Sequence, residues 1–157
     1  MEYTYNNYDY DEIIPNLFIG NINSLKHANK FDFILNCTDD IPFPKTCTNC
    51  LRISIKDDPD ESDRLLHLLR KYSILEKIYG YIQSKKSVLV HCYAGMQRSC
   101  AVVACYLIKN YSISPYTAIS HIKMKRNVAF YRGVNFQNAL DKCYNENKVI
   151  KSQSLEN

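Results

Sequence analysis

The chain has 157 residues, 46% of them apolar and 23% charged, with a formal net charge of +4. This length fits one domain with a buried core, and the composition is that of an ordinary globular protein. The charge excess is too small to indicate nucleic-acid binding by itself, although it suits an anionic substrate. The longest apolar run, residues 101–108, is too short to cross a membrane, so we expect no membrane partner.

The beginning of the chain, residues 1–11, is rich in Tyr, Asn and Asp and shows no periodicity. We predict a flexible or loosely docked arm there, one that could mediate homodimerisation. A catalytic domain is predicted over residues 12–147, and a polar tail over residues 148–157. Residues 13–20 predict a strand that enters a glycine turn, and Ser24 is predicted to cap a short helix.

The middle of the chain alternates between strand and helix patterns. Residues 31–37 predict an apolar strand, and residues 51–55 predict a strand with one buried face. An acidic loop at residues 57–62 precedes a helical pattern that runs to residue 82 and can break near Ser73. Residues 87–90 predict a central buried strand, and helices follow near residues 98–110, 115–126 and 134–147. The predicted fold is therefore a single α/β domain with a central, twisted, mostly parallel sheet flanked by helices.

The segment VLVHCYAGMQRS, residues 88–99, joins the central strand to the next helix through a tight loop. Gly95 permits the backbone turn, and the helix contributes the positive end of its dipole. Such a corner directs several backbone N–H groups at one point, which suits a phosphate dianion. The predicted phosphate-binding loop consists of His91, Cys92, Tyr93, Ala94, Gly95, Met96, Gln97 and Arg98.

Chemistry at this loop is predicted to depend on Cys92, because N–H groups and a helix end favour its thiolate, a strong nucleophile toward phosphorus. Arg98 offers a planar fork for two phosphate oxygens and holds them better as charge shifts in the transition state. Ser99 can donate its hydroxyl to the sulfur and help the thiolate leave when a covalent intermediate breaks down. His91 is predicted to orient the loop rather than to transfer protons.

The pattern His-Cys-x-x-Gly-x-x-Arg-Ser, residues 91–99, resembles the signature of the protein tyrosine phosphatase superfamily. Residues 14–21 and 33–38 are similar to the opening strand and the second strand of its small dual-specificity branch. The resemblance therefore extends over residues 10–145, which is nearly the whole chain. It implies that family's fold and the hydrolysis of phosphotyrosine and phosphoserine or phosphothreonine in protein substrates, through a phosphocysteine and without metal or cofactor. Some large DNA viruses encode such enzymes, which suits the excess of Asn, Ile, Lys and Tyr.

The resemblance also implies a general acid, an Asp on the loop after the strand at residues 51–55, which protonates the leaving oxygen. Asp57, Asp58 and Asp60 are the candidates. Asp57 is the first Asp after the strand, whereas spacing to the nucleophile favours Asp60, because the following helix looks one turn longer than usual. Insertions fall more easily in loops and helix ends, so the strand register favours Asp57 and the other two remain alternatives.

The seven cysteines are an odd number, and the chain begins without a secretory signal. Both features predict reduced thiols and a cytoplasmic location, with the nucleus as an alternative. Cys47 and Cys50 lack a second pair at zinc spacing and are predicted to be plain loop cysteines. Three others are expected to be buried packing residues, with a disulfide to Cys92, as in some relatives, as the alternative: Cys37, Cys100 and Cys105.

Two further features lie before the last helix. A basic run is predicted to form a solvated helix face, or alternatively a rim that steers phosphorylated substrates: Lys123, Lys125, Arg126 and Arg132. The late Asn that braces the loop in many members of the family has no clear counterpart, although Gly133 and Asn135 lie near its place. Gln97 also departs from the family, which often has Ser or Gly there.

The sequence leaves three classes of function open. A protein phosphatase is the leading interpretation, and the same chemistry on an RNA 5′-phosphate or a phosphoinositide is the alternative. Uncharged residues at positions 93, 94, 96 and 97 argue against phosphoinositides, and the small net charge argues against RNA. A non-catalytic phosphate-binding module would normally lose the nucleophile or the arginine, and both Cys92 and Arg98 are present.

Overall fold

A five-stranded sheet runs through the centre of the computed structural model, which describes residues 8–156. The strands are β1 (Tyr10–Ile14), β2 (Leu17–Gly20), β3 (Phe33–Asn36), β4 (Cys50–Arg52) and β5 (Val88–His91). Their order across the sheet is β1-β2-β5-β3-β4; β1 and β2 pair antiparallel, and every other pair is parallel. The predicted α/β class with a mostly parallel sheet is confirmed.

Within residues 8–156, five α-helices flank the sheet: α1 (Ser62–Lys71), α2 (Ile74–Gln83), α3 (Arg98–Tyr111), α4 (Pro115–Lys125) and α5 (Gln137–Leu155). Shorter 3-10 segments cover Ile22–Lys30 and Pro59–Glu61. The predicted break near Ser73 is confirmed, because this residue separates α1 from α2 with a left-handed φ of 50°. Across residues 8–156, no helix has the length and apolar character needed to span a membrane.

The first predicted strand is in fact a hairpin. β1 begins at Tyr10, inside the segment predicted as an arm, and the chain turns at Asn16, whose φ is 72°. Asn adopts this left-handed conformation more readily than most residues, which explains the turn. The predicted cap at Ser24 is wrong: Asn21 caps this 3-10 segment, accepting from the N–H groups of Asn23 and Ser24. Residues 1–7 of the predicted arm lie outside the described residues.

Two other boundaries also differ from the predictions. α5 continues to Leu155, through most of the predicted polar tail, since residues 148–155 contain no Gly or Pro and include good helix formers. β4 ends at Arg52 rather than at residue 55. The predicted alternation nevertheless persists beyond the strand, because Ile53 and Ile55 are both buried and Ile53 N donates to Asn36 O at 2.9 Å.

The loop between β5 and α3 is anchored by buried elements on both sides. All four residues of β5 are buried, and this strand lies between β2 and β3. α3 begins shortly after β5 and packs against α2, α4 and α5, with its residues 99–108 all buried. Because β2, β3, β4 and β5 are parallel, their carboxyl ends share one edge, where open α/β sheets bind their ligands. The loop between β5 and α3 lies there.

Candidate active site

The loop at residues 92–97 has its carbonyl groups bound from outside. Ile22 N donates to Tyr93 O at 2.9 Å, and Phe130 N donates to Met96 O at 2.7 Å. Arg126 binds the two carbonyls between them. Because these carbonyls face outward, backbone N–H groups are free to face inward. Within residues 8–156, the N–H groups of residues 93, 94, 96 and 97 donate to no acceptor, so they remain available to an anion.

Arg126 holds the back of this loop and is only 1% exposed. Its Nε donates to Gly95 O at 2.8 Å, its Nη2 donates to Ala94 O at 3.4 Å, and its Nη1 pairs with Asp11 Oδ2 at 2.7 Å. Gly95 has a φ of 65°, and a Cβ there would lie 2.6 Å from Arg126 Nη2 and 2.8 Å from Gly20 O. The loop therefore needs glycine for its conformation and for its close packing.

The basic run predicted as one solvated face is divided by the structure. Lys123 and Lys125 are exposed at the end of α4, whereas Arg126 is buried, so the prediction is wrong for Arg126. A buried guanidinium is stable here because Asp11 and loop carbonyls compensate its charge. Arg132 is exposed and lines the pocket over the loop, where the alternative prediction of a basic rim put it.

Cys92 lies at the floor of the loop with its side chain buried. Its Sγ is 3.2 Å from Ser99 Oγ and accepts a hydrogen bond from Gly95 N at 3.2 Å. Ser99 is fixed because it belongs to the first turn of α3 and is itself fully buried. Two donors at this distance can stabilise negative charge on sulfur.

Arg98 is the first residue of α3, and the carbonyl of Ile55 holds its side chain, accepting from Nη1 at 3.1 Å. Its Nε is buried and has no hydrogen-bond partner in the part of the chain that the structure describes. The guanidinium is therefore oriented at one end and retains donors for oxygens at the other.

A pocket of about 340 Å³ brings Asp57 together with Cys92 and Arg98. Asp57 is exposed, and its Oδ1 accepts from Asn135 Nδ2 at 2.8 Å. The other two candidate acids do not line this pocket. Asp58 instead caps the 3-10 turn that follows it, its Oδ1 accepting from Asp60 N at 2.8 Å.

His91 ends β5 and is fully buried. Burial lowers the pKa of its imidazole to about 4, because the charged form loses its hydration there. The ring is therefore neutral at pH 7, and its Nδ1 lies 3.5 Å from Cys92 O. A neutral ring beside Cys92 is compatible with the predicted orienting role.

Two of the seven cysteines do not match the expectation of reduced thiols. Cys47 and Cys50 form a disulfide, and their Cα atoms are 6.1 Å apart. The three cysteines predicted to be packing residues are buried and free: Cys37, Cys100 and Cys105. Burial raises the thiol pKa of Cys37 and Cys100, whereas a hydrogen bond with Cys143, followed by burial, raises that of Cys105. Among the described residues, no three His, Cys, Asp or Glu side chains cluster as metal ligands.

Sequence reasoning left Gln97 and Asn135 without a role, and the structure connects them. Gln97 Nε2 donates to Tyr131 O and Gly133 O at 3.1 and 2.8 Å, and its Oε1 accepts from Asn135 N at 3.1 Å. The departure of Gln97 from the small residues usual at its position was the available signal. Nothing local indicated its partners, which lie 34 to 38 residues later.

Residues 17–146 match the family model of the dual specificity phosphatase catalytic domain. The chain belongs to the dual-specificity phosphatase family. It is accordingly a cysteine-dependent protein phosphatase, as the resemblance implied. This dual-specificity phosphatase is 34% identical over 124 residues to "Putative tyrosine phosphatase 123R" of Invertebrate iridescent virus 6. The matched residues make up 76% of this chain and 81% of the viral protein.

Two other relatives agree with this family. Dual specificity protein phosphatase 1B of Arabidopsis thaliana is 30% identical over 132 residues, or 78% of this chain and 74% of the plant protein. The crystal structure of human DUSP28 has a TM-score of 0.76 and 24% sequence identity, covering 90% of this chain and 96% of that chain. At this identity the human structure supports the fold alone.

Proposed function

We propose that this phosphatase hydrolyses phosphotyrosine, phosphoserine and phosphothreonine in proteins through a phosphocysteine on Cys92. The observation that carries the proposal is the shared pocket, which holds the thiol, the free edge of Arg98 and the Asp57 carboxyl. An in-line displacement needs these three groups on different sides of one phosphorus atom. Ser99 and the loop N–H groups complete the arrangement around the sulfur and the oxygens.

In the first step, Cys92 Sγ forms a bond to phosphorus as the ester P–O bond breaks. Asp57, protonated, gives its proton to the leaving oxygen, while Arg98 and the loop N–H groups hold the three equatorial oxygens. In the second step, Asp57 accepts a proton from water as that water attacks phosphorus, and the S–P bond breaks. The hydrogen bond from Ser99 Oγ, 3.2 Å away, stabilises the departing thiolate, and inorganic phosphate leaves.

Hydrolysis of p-nitrophenyl phosphate by the wild type and by Cys92→Ser, in reductant and without metal, tests this scheme first. We expect turnover in the wild type and a loss of roughly 10³-fold or more in the variant, because a hydroxyl does not ionise at neutral pH. Ser99→Ala should instead slow the second step, so acid quench and mass spectrometry should detect phosphate on Cys92. Retained turnover in Cys92→Ser contradicts the scheme.

The substrate is a separate question, to which the pocket walls contribute. Tyr93 and Tyr131 line the pocket with exposed rings, and the guanidinium of Arg132 lies 5.3 Å from the Tyr131 ring centroid. Aromatic walls favour a phosphotyrosine ring, so we expect phosphotyrosine peptides to be hydrolysed faster than phosphothreonine peptides. A panel that adds RNA bearing a 5′-phosphate and a phosphoinositide checks this. If either the RNA or the phosphoinositide were hydrolysed faster than the peptides, that compound class would replace phosphoproteins as the proposed substrate.

We further propose a cytoplasmic or nuclear location, because a thiolate mechanism needs a reducing compartment. The Cys47–Cys50 disulfide lies away from the pocket, so treatment with reductant should preserve turnover. Homodimerisation through the N-terminal arm also remains a proposal. Sedimentation of the full chain, compared with a chain lacking residues 1–7, measures it directly.

A further inference from the structure

The connection between α4 and α5 contains an unusual stretch of backbone at residues 130–133. Phe130 and Arg132 have φ values of 56° and 63°, and Gly133 has a φ of 113°. For a residue with a side chain, the left-handed conformation costs roughly 1–2 kcal/mol. Other contacts must therefore hold this segment in shape, and such strain is commonly found beside functional groups.

Gln97 supplies these contacts from inside the phosphate-binding loop. Its two amide hydrogens go to the carbonyls of Tyr131 and Gly133, and its amide oxygen accepts from Asn135 N. The side chain is 7% exposed. An amide is the only uncharged side-chain group that offers two donors and an acceptor at one end. A smaller residue at position 97 would leave these three backbone groups without this partner.

Asn135 carries the connection onward to the acidic loop. Its Nδ2 donates to Asp57 Oδ1 at 2.8 Å, and within residues 8–156 this is the one hydrogen bond to that carboxyl group. Asp57 is otherwise exposed on a loop, so its side chain has little else to fix its rotamer. A continuous series of hydrogen bonds thus joins the loop of the nucleophile to the carboxyl group, through Gln97 and Asn135.

We propose that Asn135 is a positioning residue for Asp57, and that Gln97 fixes Asn135 in the place where it can act. The inference rests on the proposed function, in which Asp57 protonates the leaving oxygen. Asn135 donates to Oδ1 and leaves Oδ2 as the atom that carries the proton. Its donor bond also limits rotation of the carboxyl group, so that the proton is presented to the pocket.

This role has a signature that a purely structural role lacks. p-Nitrophenolate leaves readily without a proton, whereas phenolate and alkoxides need one. Loss of correct positioning should therefore reduce kcat more for phenyl phosphate than for p-nitrophenyl phosphate. Damage to the phosphate-binding loop would reduce both alike, since both esters present the same phosphate.

The experiment compares kcat for the two esters in the wild type, Asp57→Asn, Asn135→Ala and the double variant. General acid catalysis contributes about 10²–10⁴-fold, and we expect Asn135→Ala to lose about 10-fold more turnover on phenyl phosphate than on p-nitrophenyl phosphate. In the Asp57→Asn background, Asn135→Ala should cause no further loss, because the group that it positions is already absent. Asn138→Ala, which removes an exposed Asn of α5, is the matched control.

Gln97→Met keeps the length of the side chain and removes its three hydrogen bonds, so it should reproduce the same difference between the two esters. Thermal melting of each variant identifies any that fails to fold. If Asp57→Asn shows no difference between the esters, the proposed general acid is wrong. If Asp57→Asn shows the difference and Asn135→Ala does not, or if their effects add in the double variant, the positioning role is overturned while the general acid stands.

Discussion

The phosphate-binding loop and the acidic loop face the same pocket, but the protein holds them in opposite ways. The loop at residues 92–97 is fixed from behind by buried groups, chiefly Arg126 and the backbone of neighbouring segments. Residues 57–60 of the acidic loop are exposed, and a hydrogen bond from Asn135 to Asp57 connects the loop to the far side of the pocket. The loop at residues 92–97 is thus held by contacts with the buried interior, whereas Asp57, the proposed general acid, lies on the surface.

This difference has a consequence for stability and activity. Substitutions behind the phosphate-binding loop should lower the free energy of unfolding and turnover together, because the same contacts serve both. Substitutions in the acidic loop should change turnover with little effect on stability, since few buried contacts are lost. Measuring both quantities for each variant therefore tests the comparison itself.

Arg126→Met should have the largest effect. The variant leaves Asp11 and two loop carbonyls without their buried partner, and breaking a buried ion pair in this way costs about 4 kcal/mol of unfolding free energy. Turnover should fall roughly 100-fold, because the loop N–H groups lose their orientation. Urea unfolding and p-nitrophenyl phosphate kinetics measure the two effects.

The control for Arg126→Met is Arg70→Met, which removes an exposed ion pair with Glu146. Exposed pairs contribute about 0–1 kcal/mol, so this variant should stay close to the wild type in stability and in turnover. Equal effects of the two variants would contradict the claim that the phosphate-binding loop is built on the core.

Gly95→Ala should come next, with a loss of about 3 kcal/mol that combines left-handed strain with overpacking. The added Cβ would lie 2.6 Å from Arg126 Nη2 and 2.8 Å from Gly20 O. Gly80→Ala is the opposite case, because a Cβ there meets nothing within 4 Å and the site is on the exposed side of α2. It should raise stability by about 0.5–1 kcal/mol. A neutral Gly95→Ala would show that the loop can relax.

The features that the sequence predicted are local along the chain, whereas the contacts that it missed join distant segments. Hydrophobic periodicity indicated the central strand and the helices, and the short motif from His91 to Ser99 indicated the anion site, because each signal is local along the chain. The contacts that complete the site are distant in sequence: Arg126 reaches Gly95 across 31 residues and Asp11 across 115. Asn135 reaches Asp57 across 78 residues. Such pairings depend on how the elements pack, which no local pattern records.

The pH dependence of the unfolding free energy tests how firmly the end of β5 is buried. The pKa of His91 is lowered to about 4 by burial, whereas an unfolded histidine titrates near 6.5. As the pH falls below about 6.5, His91 binds a proton in the unfolded chain but stays neutral in the folded chain. The free energy of unfolding therefore decreases by about 2 kcal/mol between pH 7 and pH 5. The decrease ends near pH 4, where the folded state also binds the proton.

Urea unfolding at pH 7, 6 and 5 measures this decrease. The variant His91→Gln should show a smaller loss of stability over the same range, and the difference between the two proteins isolates the histidine. His67→Gln serves as the control, because it removes a histidine that is exposed on α1 rather than buried. An unchanged slope in His91→Gln would mean that other groups cause the decrease.

Asp58→Ala should have the smallest effect, and it separates the two functions of the acidic loop. Asp58 caps the 3-10 turn with a hydrogen bond from Asp60 N, so its loss should cost about 0.5–1 kcal/mol of stability. Turnover of phenyl phosphate should stay within about twofold of the wild type, because in the proposed scheme Asp57, and not Asp58, donates the proton. Asp58→Asn retains the cap and should match the wild type in both measurements. If Asp58→Ala lost as much turnover as Asp57→Asn while remaining folded, the role of general acid would have to be reassigned to Asp58. The acidic loop would then contribute more to the pocket than the exposure of its residues indicates.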